Sequence, residues 1–75
     1  MDKETIALII AQNGLGTAAS VLTAKAFRLE KKAASLPNGA EKNKAAADAK
    51  RARKTASVLM MANDDVAKYL AVLAE

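Results

Sequence analysis

The sequence predicts an all-α fold: an antiparallel two-helix hairpin packed into a larger helical assembly. Three observations predict it. Leucine recurs at every seventh position, at Leu8, Leu15, Leu22, Leu29 and Leu36. The only proline, Pro37, stands near the middle of the 75 residues, next to Asn38 and Gly39. The remainder is rich in Ala, Lys and Leu, all strong helix formers, with no strand-like alternation of β-branched residues.

Helix 1 is expected over about residues 3–36. A seven-residue repeat keeps one seam of a helix facing a partner, the pattern of a coiled coil. The companion seam positions hold Gln12, Ala19, Ala26 and Ala33, small enough in three cases for a second helix to come close. The uncharged stretch from Thr5 to Ala24 belongs to this arm. Asn13-Gly14 resembles a turn signal. The leucines keep phase across it, which favours a continuous helix.

The turn is expected at residues 37–39. Pro37 stops helix 1, and Asn38 with Glu41 three residues later resembles a capping box. Helix 2 follows over about residues 40–74, with a seam of Ala45, Ala52, Leu59, Val66 and Leu73 and companions Ala49, Ala56, Asn63 and Leu70. Asn63-Asp64 offers a second start signal, so a break near residues 63–64 is the open alternative. Each arm should reach roughly 50 Å at about 1.5 Å per residue. The whole chain, residues 1–75, reads as a single helical-hairpin domain.

Composition limits the chemistry. There is no Cys and no His, so disulfides, thiolate nucleophiles and the usual zinc ligands are excluded. No phosphate-cradling glycine loop and no serine triad is present. Adjacent Asp64 and Asp65 would point about 100° apart on a helix, so they do not converge on a metal. No catalytic, cofactor-binding or metal-binding residue is assigned, and an enzyme is not expected. The acidic start, Met1-Asp2-Lys3-Glu4, lacks the basic flank of a secretory signal. Cytoplasmic synthesis or a place in a virion fits that start.

Charge divides the hairpin into two unlike ends. Residues 25–54 hold Lys25, Arg28, Lys31, Lys32, Lys42, Lys44, Lys50, Arg51, Arg53 and Lys54 against only Glu30, Glu41 and Asp48, a net +7. Those ten are the candidate anion contacts, and they cluster at the tip. Residues 1–24 carry −1 and residues 55–75 carry −2. The terminal end is apolar around most of helix 2, where Met60, Met61, Val66, Tyr69 and Leu70 are the candidate assembly contacts. A chain this short buries too little alone, so copies of itself or another protein should cover that end.

Two other readings compete. A basic tip suits nonspecific phosphate contacts to nucleic acid, with base stacking not expected because no set of aromatic residues is interleaved with the basic stripe of residues 25–54. The uncharged stretch is long enough to cross a bilayer. Its strong apolar residues contribute about 3–4 kcal/mol towards insertion. Gln12 and Asn13 near its centre oppose that at roughly 2 kcal/mol each. Packing against protein is therefore preferred to membrane insertion.

In layout the chain resembles the small hairpin subunits of type III secretion needles, with two helices of similar length and a proline-containing turn, Ser35-Leu36-Pro37-Asn38-Gly39-Ala40. It departs from them in having one proline there and glycines in the first arm. Its charge layout is similar to that of filamentous-phage coat subunits, which are single helices with one basic end. Both resemblances imply a repeated structural unit of an assembly.

Overall fold

The computed structural model describes residues 2–74. It is a helical hairpin: α1 spans Lys3–Ser35, α2 spans Ala40–Ala74, and the two pack against each other along their length. The Cα atoms fill a rod of 55 × 13 × 13 Å. Both helices run unbroken through Asn13-Gly14 and through Asn63-Asp64.

Local chemistry sets the ends. Asp2 caps α1, with its Oδ1 accepting a hydrogen bond from the Thr5 N–H at 2.7 Å. That bond to the charged form holds the Asp2 carboxyl below the usual aspartate range. The α1 helix stops because Pro37 follows Leu36, and a residue before proline is driven to extended backbone. Leu36 indeed has φ −91° and ψ 148°, and its N–H turns back to Ala33 O at 3.3 Å.

The start of α2 differs from the expected capping box. Gly39 O, rather than an Asn38 group, receives the first helical bond, from Asn43 N–H at 3.1 Å. Gly39 adopts φ +155°, a conformation that side chains rarely take, so glycine is needed there. The chain reverses through Gly39, and Asn38 lies one residue too early to cap.

The heptad phase is followed along both helices, but the side chains share the seam unequally. The buried apolar residues are all alanines: Ala19, Ala26 and Ala33 on α1, and Ala45, Ala49, Ala52 and Ala56 on α2. Leu8, Leu15, Leu22, Leu29 and Leu36 are only half-buried, as are Leu59 and Val66. Leu73 is exposed, because α1 offers little chain opposite the last turn of α2. The expected central burial of the leucines is corrected accordingly. A methyl-only seam lets the helix backbones approach too closely for leucine to lie between them, so the leucines flank the contact. Leu22 shares one groove with Ala52, and Leu29 shares another with Ala45, which pairs large with small across the seam.

Such a seam stabilises little. Its fully buried apolar surface consists of seven alanine side chains, the smallest that can be buried. The chain exposes 5503 Å², whereas a compact monomer of 7.8 kDa would expose about 4,400 Å². Its radius of gyration is 16.9 Å, against about 11 Å for a globule of this length.

Two substitutions separate seam from surface. Ala26 is completely buried, so Ala26→Leu should destabilise the hairpin by about 1–3 kcal/mol through overpacking. Ala34 is exposed on the same helix, and Ala34→Leu should change stability by less than about 0.5 kcal/mol. Urea unfolding followed by circular dichroism measures both.

Candidate interaction surfaces

At the tip, the ten Lys and Arg of residues 25–54 are exposed except Lys42, which is half-buried. One cation ties the two helices. Arg53 on α2 grips Glu30 on α1 with two parallel bonds, Nε to Oε2 at 2.5 Å and Nη2 to Oε1 at 2.6 Å. The bonds from Arg53 hold the Glu30 carboxyl below the usual glutamate range, and the same contact raises Arg53. A second cation, Arg51, pairs with Asp48 within α2. The other eight have no carboxylate within 4.0 Å among the described residues. Lys31 Nζ lies 5.2 Å from the centroid of the Phe27 ring, a cation–π contact that leaves its charge outside any ion pair. The tip is thus a cationic surface with little internal neutralisation.

The open end is the opposite case. Ile6, Ile10 and Val21 of α1 and Val58, Met60 and Met61 of α2 are all exposed, with Ile10 66% and Met61 59% accessible. Tyr69 and Val72 are exposed as well, whereas Val66 and Leu70 are half-buried in the seam phase. The most apolar 18-residue window of α1 has a mean hydropathy of 1.5, long and apolar enough to cross a membrane, and only 6% of it is buried by the hairpin. One polar contact ties this end: Tyr69 OH donates to Glu4 Oε1 at 3.1 Å. That bond, strengthened by the nearby carboxylate charge, pushes the Tyr69 hydroxyl pKa up.

A third feature lies between the two. Gln12, Asn13, Gly16, Thr17, Ser20 and Asn63 line one groove, floored in part by Val21 and Met60. Gln12 and Asn63 occupy seam positions of the two helices, so the hairpin places a polar layer in the middle of its apolar end. Asn63 Oδ1 is buried and accepts no hydrogen bond. An unmet buried acceptor costs about 1–3 kcal/mol. Gly14 and Gly16 sit inside α1 with φ in the ordinary helical range, and a Cβ on either would meet nothing within 4 Å. Each therefore costs α1 about 0.5–1 kcal/mol relative to alanine without serving the hairpin.

The sequence placed the cations and the apolar end, and the structure gathers each group on its own end of the rod. It did not reveal the Glu30–Arg53 and Glu4–Tyr69 ties, which depend on the hairpin register. The Gln12–Asn63 layer carried a signal, since both residues interrupt the apolar repeat in seam phase. Among the described residues, no group of three or more carboxylates could hold a metal ion. Comparison of the chain with known protein families, with curated proteins and with solved structures finds no match.

The cross-helix pairs set a pH dependence. The folded pKa of Glu30 is lowered, so its contribution is fully present above the ordinary glutamate pKa of about 4.3 and is lost as pH falls through the folded value. The folded pKa of Tyr69 is raised, so its contribution is fully present below about 10 and is lost as pH rises through the folded value. Thermal melts of Glu30→Gln should lie below those of the parent at pH 7. The gap between the two should close in acid, where Glu30 itself becomes neutral. A Tyr69→Phe variant should behave likewise at the alkaline end.

Proposed function

We propose that the chain is a non-enzymatic structural subunit, a coiled-coil hairpin that assembles through its apolar end with copies of itself or a partner protein. The observation that carries this reading is the uncharged window of α1, long enough to span about 27 Å, in which Ala19 alone is fully buried by α2 while Ile6, Ile10 and Val21 stay exposed. Together with exposed Met60, Met61 and Val72, it leaves large apolar side chains of both helices open at this end. Two adjacent methionines suit a contact that must adapt to its neighbour. The +7 tip projects from such an assembly, where mutual repulsion keeps tips apart. A filament or virion component is the setting that this division of ends suits.

Lipid is the less favoured cover for the same surface. In the hairpin, Asn63 lines a groove with Gln12, so the neighbouring Asp64, Asp65 and Lys68 lie level with the uncharged stretch. Burying three charges at that depth costs about 2.5–3.5 kcal/mol each, well above the 3–4 kcal/mol that the apolar residues return.

The tip supports a second reading: phosphate contacts to nucleic acid by the cations that carry no carboxylate partner. Binding of this kind is insensitive to base sequence, and its affinity falls at least about 10³-fold between 50 and 200 mM salt if six or more phosphates are engaged. Fluorescence anisotropy with two unrelated duplexes tests it. A preference above tenfold for one duplex, or no binding at 50 mM salt, would remove this reading.

The first reading is tested by moving charge. Met61→Glu introduces a carboxylate on the exposed apolar surface without entering the seam, and should lower the assembled mass measured by light scattering at constant helicity. Lys44→Glu at the tip should leave that mass unchanged. Equal masses for Met61→Glu and the parent would overturn the assignment of the contact surface.

A further inference from the structure

We infer that the tip grips duplex nucleic acid on one side only: the outer side of α2, where Ala47, Lys50, Arg51 and Lys54 form a phosphate-binding face. The inference rests on the phosphate-contact reading above, and it names the residues and the form of the nucleic acid.

The hairpin sorts the cations of the tip unequally. Arg53 is held by Glu30, Lys42 is half-buried, and Lys31 lies over the Phe27 ring. Lys25 borders a groove with Asp48, and Lys32 and Lys44 border another with Glu41 and Asp48. A phosphate entering either groove would meet a carboxylate. The groove lined by Ala47, Lys50, Arg51 and Lys54 has no acidic residue on its walls. Ala47, Arg51 and Lys54 follow the buried seam alanines Ala45, Ala49 and Ala52 by two residues each. Two residues are about 200° of helical turn, so this face points away from α1. Arg28 follows the seam residue Ala26 by two residues and so points outward from α1, on the opposite side of the rod.

Crowding makes the α2 face receptive to an anion. Lys50 and Lys54 stand at i and i+4, and Arg51 and Lys54 at i and i+3, spacings at which like charges repel. Arg51 pairs with Asp48 through one nitrogen, and its side chain stays 76% exposed. Its remaining guanidinium N–H groups are open to a second acceptor. Helical side chains lean towards the N-terminus, so Lys50 and Arg51 reach back over Ala47, whose methyl leaves room for an anion beside the helix. The face is about 10 Å long. About 10 Å of duplex carries about six phosphates, at one charge per about 1.7 Å of axis. Three cations therefore find phosphates whatever the base sequence. No aromatic residue lines the groove, which leaves out the stacking that single-strand binders use.

A short fluorescent duplex, read by anisotropy between about 50 and 200 mM salt, tests the face. Two double variants remove the same charge: Lys50→Gln with Lys54→Gln on the face, and Arg28→Gln with Lys31→Gln on α1. The first should make the slope of log affinity against log salt shallower by about 1.8, since each phosphate contact contributes about 0.9. The second should leave the slope unchanged. Equal changes in the two would overturn the face and leave nonspecific phosphate binding standing. Ala47→Glu sets a carboxylate in the groove, three residues before Lys50 and four before Arg51, spacings that favour the helix. It should keep or raise the melting temperature while weakening duplex binding at least about tenfold. Undiminished binding by a helical Ala47→Glu would likewise overturn the face. Failure of the unmodified chain to bind duplex at about 50 mM salt, with capture by phosphatidylserine vesicles instead, would make lipid headgroups the ligand and remove the nucleic-acid reading as well.

Discussion

Everything distinctive about this molecule depends on how closely its two helices approach. The seam is built of alanine methyls, Ala19, Ala26 and Ala33 against Ala45, Ala49, Ala52 and Ala56. A methyl seam brings backbones together and aligns them over the full rod, but it removes little apolar surface from water. The larger side chains are displaced to the flanks, where each leucine is covered on one side only. A hairpin with a leucine interior would satisfy more of its own apolar surface and expose fewer reasons to associate. Here close approach and incomplete burial are the same fact seen from two directions.

The two ends of the rod handle that shortfall differently. Near the tip the flanking positions are charged, and a bidentate Arg53–Glu30 pair closes one edge of the seam. Around it, the other tip cations are exposed apart from the half-buried Lys42. At the open end the flanks are isoleucine, valine and methionine, and among the described residues the one polar tie between the helices is Tyr69 to Glu4. The uncharged window of α1 runs along this half with its leucines half-buried and Ile6, Ile10 and Val21 exposed. A charged half joined to a half with exposed apolar flanks is the feature on which the proposed assembly role rests.

Much of the fold was legible in the residues. Pro37 and Gly39 mark the reversal, and the leucine phase carried α1 through Asn13-Gly14 as one helix. The α2 helix likewise continues through Asn63-Asp64, where start signals competed with an unbroken heptad phase and packing against α1 prevailed. The depth of each seam residue was less legible. Periodicity tells which residues face the partner, but the distance between axes decides which of them are buried, and alanine and leucine compete for that distance. The capping box was misplaced by one residue because the unusual φ of Gly39 reverses the chain after Asn38. The polar layer of Gln12 and Asn63 depended on register, which no single helix records.

The central claim is that the alanine seam alone does not sustain the fold and that contacts between copies or with a partner complete it. For self-assembly, stability must then follow concentration by mass action. Thermal unfolding of the unmodified chain, read by circular dichroism over a hundredfold range of concentration, tests this most directly. The account predicts a Tm that rises steadily with concentration. A Tm independent of concentration, with full helicity and a mass of 7.8 kDa throughout, would show that the hairpin stands alone and would contradict it.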